Sequence, residues 1–208
     1  MDAEAAHERL RPPEDHGYFR DRVLVVATVV HRLDEEGLNP LKGFLGTVDA
    51  IGSFLNPHGH RHNRLQSWLT HFALLLKYED DERVWLLQRH DYGVDYYPTD
   101  VPADALMMGA RMQYVRGGPT AIVCNVATAE DHWADERSWG DVVRRWNVWD
   151  RVDEERGRPY DFCLKNCQHL AYDVHKYTLE HAHISAHGFE QYTEACQRRF
   201  VSTEWACV

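Results

Sequence analysis

A chain of 208 residues with 33 acidic against 23 basic side chains carries a formal charge of -10 near neutral pH. That balance argues against nucleic acid or an anionic membrane surface as the main partner, because both demand a basic footprint; a basic or neutral partner fits better. The length, without a Pro- or Ser-rich linker, suits one globular domain with peripheral additions, and the longest apolar run, VLVVATVV at 23–30, falls well short of the roughly 20 residues that span a bilayer. Five cysteines, at 124, 163, 167, 196 and 207, are an odd number without framework spacing. MDAEAAHERLRPPEDHG at the start lacks the apolar core of a signal peptide. Together these imply a reducing, cytoplasmic setting, or export by a route without a cleavable signal.

The opening 20 residues are charged, hold Pro12 and Pro13, and read as a lead-in. RVLVVATVVHRL at 22–33 is rich in β-branched residues but long enough for a helix; the face shared by Val23, Val26, Ala27, Val30 and Leu33 favours the helix. Gly37 and Pro40 then interrupt the chain before a second short apolar segment at 44–55, so that residues 1–62 read as an N-terminal extension or cap. PHGHRHN at 57–63 brings His58, His60 and His62 together, but no Cys, Asp or Glu nearby completes a metal site, and a solvated loop is the expectation.

THFALLLKYEDDERVWLLQRH predicts a β-hairpin: apolar runs 71–78 and 83–90 flank the polar Glu79 to Glu82. Both strands are apolar on both faces, which places the pair centrally in a sheet. With Tyr78 opposite Arg83, His71 falls opposite His90 on one face; a slip would substitute Arg89, and a bulge would bring in Gln88. Residues 110–128 read as two more strands around Gly117-Gly118-Pro119, with Cys124 as a buried structural thiol. Ser138 to Asp141 matches a capping box for a helix bearing Val142, Val143, Trp146 and Trp149, tryptophans expected in the core.

LKNCQHLAYDVHKYTLE at 164–180 predicts an amphipathic helix with Asn166 as N-cap and Cys167 at the head of an apolar stripe of Leu170, Ala171, Val174, Tyr177 and Thr178. Unpaired N–H groups and the helix dipole there favour a thiolate, so Cys167 is the candidate nucleophile. His169 projects elsewhere on the helix and is a poor base for it. A zinc set from Cys163, Cys167 and His169 or His175 lacks the usual paired spacing. A last helix, 189–199, should bury Phe189, Tyr192 and Cys196, with His181, His183 and His187 in the connector before it. The terminal WACV is no prenylation box.

A histidine opening a hairpin strand, in THFALLL, followed much later by NCQHLA at a helix start, resembles the permuted papain-like cysteine enzymes. That group includes the lecithin retinol acyltransferase-like proteins and the PPPDE peptidases, and the likeness covers about residues 68–180. Histidine before cysteine distinguishes it from ordinary papain and from NlpC-type hydrolases. The resemblance implies an α+β fold, an antiparallel sheet packed against helices, with residues 63–208 as the catalytic domain. It implies His71 as base, Cys167 as nucleophile and a polar residue on the adjacent strand as orienter, which the register makes His90, with Gln88 the alternative. It implies no cofactor and no metal. The implied activity is that of a thiol protease or isopeptidase acting through an acyl-thioester; an acyltransferase or phospholipase of the same fold, or an inactive binding module, is the alternative. The membrane-spanning tail of some acyltransferase-like members has no counterpart, which turns the expectation away from lipid. A thiolate paired with imidazolium should make Cys167 alkylate before Cys124, Cys196 and Cys207 at mildly acidic pH.

Overall fold

Two stretches that the chain makes apolar on both faces, residues 23–32 and 70–78, are buried almost throughout and lie side by side in the middle of one antiparallel sheet. The computed structural model describes residues 23–32, 70–79, 81–108, 111–114, 116, 118–128, 145–161, 165–181 and 187–205. Among these, six strands form a single sheet: β1 (Val23–Arg32), β2 (Thr70–Tyr78), β3 (Val84–His90), β4 (Gly93–Thr99), β5 (Arg111–Met112) and β6 (Ala121–Thr128), in the order β4-β3-β2-β1-β6-β5. Four helices accompany it: α1 (Ala103–Met107), α2 (Arg145–Arg156), α3 (Cys167–His181) and α4 (Phe189–Trp205). The architecture is therefore α+β, as expected.

The expectation of a helix at 22–33 is corrected. A stripe such as Val23, Val26 and Val30 suits either period, but β1 is sandwiched between β2 and β6 and needs apolar side chains on both faces, which β-branched valines supply. Val26 and Val30 pack toward the helices, whereas Ala27 and Val29 pack on the opposite face. The division of the chain at residue 63 is corrected with it, because it would separate β1 from both of its neighbours.

The hairpin has the expected register, with pairs running from Ala73 and Gln88 to Lys77 and Val84. Its turn is tied by Asp81, whose carboxylate accepts the Arg83 backbone N–H at 3.0 Å and the Trp85 indole N–H at 2.8 Å. β4, not foreseen, continues the meander after the two-residue turn Asp91-Tyr92, and Gly93 takes φ 149°, a backbone that L side chains rarely adopt. Pro98 is accommodated because β4 is an edge strand, where a missing N–H breaks no ladder.

One face of the sheet is covered by α2, α3 and α4: Phe72, Leu74, Leu76 and Leu87 meet Trp149, Leu170, Val174 and Phe200. Trp149 is fully buried, edge-on to Trp85 and Tyr96 at ring distances of 6.4 and 5.1 Å, which makes it core. The other face packs Ala73, Leu75 and Leu86 against Val101, Leu106 of α1 and Tyr114. α4 runs six residues past the expected end and buries Phe200 beside Tyr192 and Cys196, while Phe189 stays half-buried. The segments 1–20, 44–55 and 138–144, the trio His58, His60 and His62, and Cys163, His183 and Cys207 lie outside the described residues. No described helix is long and apolar enough to cross a membrane.

His175 on α3 is almost fully buried, its Nε2 accepting from Asn125 at 3.4 Å and its Nδ1 without a hydrogen bond among the described residues. Burial, with a smaller push from His187, lowers its pKa to about 4. An unfolded chain takes up that proton from near pH 6.5 downward and the folded one does not, so this group's effect is nil above pH 6.5 and destabilising below it. Urea unfolding at pH 7 and pH 4 should show the wild type losing about 3 kcal/mol more than His175→Gln.

Candidate active site

Asn166 begins α3 as the sequence requires. Its Oδ1 accepts the backbone N–H groups of Gln168 and His169 at 2.9 and 3.1 Å, and the His169 ring nitrogen Nδ1 donates to it at 2.9 Å. His169 is thus engaged by the cap, and its ring stacks on Phe189 at 4.3 Å. Cys167 opens the inward stripe with Leu170, Ala171 and Val174 and is 7 % exposed. Its thiol faces the backbone N–H groups of Phe72, Gln168 and Cys167 itself, all of which favour the thiolate, but burial outweighs them and pushes it up to about 11. The expected resting thiolate is therefore corrected: desolvation wins over the helix start, part of whose donor capacity Asn166 already takes. Burial likewise pushes Cys124 up to about 12 and Cys196 higher.

His71, the second residue of β2, is 5 % exposed, and its Nε2 finds no hydrogen-bond partner among the described residues. Gln88 hydrogen-bonds the ring, and with Nε2 unpaired this contact falls to Nδ1. The Gln88 Nε2 amide donates to Asp95 Oδ2 at 3.1 Å, which leaves its carbonyl oxygen for the histidine N–H. Nε2 is then the basic nitrogen. His90 lies beside His71 as the register requires, but it meets it face to face, with ring centroids 5.0 Å apart and planes 11° apart. A ring so stacked cannot hydrogen-bond its neighbour, so the contact that fixes the tautomer belongs to Gln88. His90 Nε2 instead sits 3.3 Å from Asp95 Oδ2. Burial first, then His31 and His90, holds His71 well below the ordinary histidine range, against the opposing effect of Gln88.

Strand alternation gives His71 the face of Ala73 and Leu75, whereas α3 covers that of Phe72 and Leu74. His71 and Cys167 thus approach from opposite faces of β2, at its start. There the Cys167 thiol meets the N–H of Phe72, one peptide from His71, beyond the last β2–β3 pair at Ala73. Tyr114, from the cluster on the far face, also senses this thiol: burial and then Cys167 raise its hydroxyl pKa. Tyr160 responds in the same order. His31, Asp95, Tyr114 and Tyr160 were not singled out in the sequence; alternation in GVDYYPT at 93–99 was the available signal for Asp95.

Arg89, on the helix face of β3, is buried and anchors the segment that leads into α3. It forms an ion pair with Glu155 and donates to the carbonyl oxygens of Arg158 at 2.7 Å and of Glu155 and Pro159 at 3.4 Å, at the carbonyl-rich end of α2. Among the described residues no group of three or more His, Cys, Asp or Glu side chains is arranged to hold a metal ion. His71 and His90 present ring faces to each other, and lone pairs so directed do not converge. No family model, no curated protein and no solved structure matches the chain.

Two outcomes follow. Because the thiol is neutral at rest, the iodoacetamide rate at Cys167 should keep rising beyond pH 9, and a plateau starting below pH 8 would mean that a thiolate–imidazolium pair exists. Replacing Arg89 by Ala leaves several carbonyl groups unsatisfied and Glu155 with Arg158 alone, and thermal unfolding should report a loss of about 1–3 kcal/mol.

Proposed function

We propose that the protein is a cysteine-dependent hydrolase of the thiol protease or isopeptidase type, forming an acyl-thioester on Cys167 with His71 as base. The observation that carries this reading is the meeting of the Cys167 thiol with the Phe72 N–H, next to a His71 whose Nε2 is unpaired while its other nitrogen is held by Gln88.

Both partners are neutral at rest, so the chemistry is general-base catalysis rather than attack by a standing thiolate. Nε2 takes the thiol proton as sulfur adds to the carbonyl carbon, Gln88 and Asp95 hold the imidazolium that forms, and the proton passes to the departing amine. Water then adds to the thioester with His71 again as base, releasing the acid. The N–H groups of Cys167 and Phe72, already directed at the sulfur, are the donors for the developing oxyanion. The surplus of acidic residues suits a neutral or basic protein or peptide as substrate. With the His71 pKa lowered, the base stays unprotonated below the usual histidine range, and activity should persist into mildly acidic solution.

The near-complete burial of Cys167 and its neutral thiol favour one second reading, an inactive binding module on the same scaffold. Incubation with p-nitrophenyl acetate and with fluorogenic peptide amides, followed by intact-mass measurement, separates the readings. Acylation at Cys167 with turnover of amides is the expected result, abolished in Cys167→Ala and slowed about 10²–10⁴-fold in His71→Gln. Acylation by the ester without amide turnover would point to the acyltransferase or phospholipase alternative. No acylation of Cys167 would leave the binding module.

A further inference from the structure

Four ring contacts run in a continuous row across three strands: Tyr114 on His31 at 5.9 Å, His31 on His71 at 5.0 Å, His71 on His90 at 5.0 Å, and His90 on Tyr92 at 4.7 Å. His71 is the middle ring. The row arises from register, since His31 and His71 are direct partners between β1 and β2. His31 is itself buried and fixed, its Nδ1–H donating to the Arg32 carbonyl at 2.7 Å.

We infer that His31 is a positioning residue of the candidate site: with His90 it clamps the His71 ring from both faces, so that Gln88 keeps Nδ1 and Nε2 is left to Cys167. This rests on the assignment of Cys167 and His71 as nucleophile and base. The physical need is specific. The terminal torsion of a histidine is broad, and turning the ring over puts Cδ2 where Nδ1 was and Cε1 where Nε2 was, which breaks the bond to Gln88, releases the tautomer and carries the basic nitrogen away from its place. A single hydrogen bond to Gln88 leaves rotation about that contact open, and the stacked His90 ring on one side and the tilted His31 ring on the other close it. The groups facing His71 are His31 from β1 and Gln88 and His90 from β3, with Asp95 of β4 behind them; Tyr114 backs His31.

The full-length chain labelled with ¹⁵N-histidine reports the tautomer of His71 directly, and p-nitrophenyl acetate reports acylation of Cys167 by intact mass. The wild type should show one tautomer, protonated at Nδ1. His31→Ala should give a mixture of tautomers and slow acylation about tenfold or more, and His31→Phe, which restores a ring of similar shape, should return both readouts most of the way. A His31→Ala protein with a single tautomer and wild-type acylation overturns the inference, as does failure of Phe to restore the tautomer. Should His31→Ala not fold, the wild-type spectrum still decides, because a mixture of tautomers there means no clamp. His71→Ala is the control for the underlying reading: acylation at the wild-type rate in that variant removes the base, while the tautomer data judge the clamp separately.

Discussion

The register of β2 between β1 and β3 is the constraint on which the site depends. Side chains alternate along a strand, so a slip of one position exchanges the two faces. Here it would turn His71 toward the helices and bring Arg89 among the histidines. The apolar burial on both sides of β2 makes such a slip costly, since Ala73 and Leu75 belong to one core cluster and Phe72, Leu74 and Leu76 to the other. Core packing and site geometry are thus set by one pairing. The same pairing makes the Arg89 clamp possible, because Arg89 must face the helices to reach the end of α2.

The site is also governed by desolvation. A helix start and three backbone N–H groups are ordinary means of making a thiolate, yet at Cys167 they do not offset the loss of water. The same burial keeps His71 uncharged. In the proposed dyad, a neutral pair would move its proton only when a carbonyl is in place, and it leaves the free protein with a poorly reactive thiol. The network behind His71 compensates locally: Gln88 relays to Asp95, and Asp95, held below the usual carboxylate range by contacts with His90 and Gln88 despite its burial, supplies the negative charge.

Much of the scaffold was legible in the sequence. Asn166 before an apolar helical stripe specifies where α3 begins, and the run HFALLLKY, polar EDDE and VWLLQRH specify the hairpin and, through turn length, the partnership of His71 with His90. The α+β class follows from those patterns. By contrast, β1 was misread because valines three and four apart satisfy a helical stripe and a doubly buried strand equally well, and only the presence of β2 and β6 on either side decides between them.

The chain by itself determined the local elements whose cause lies within a few residues: the cap, the hairpin turn and the row position of His90. The tertiary structure decided what those elements do to one another. Whether His90 bonds or stacks on His71 depends on ring planes, and these are set by His31 on one side and Tyr92 on the other. The charge state of Cys167 depends on how completely β2 and α3 exclude water. Both are sums over neighbours distant in sequence, and local spacing does not encode such sums.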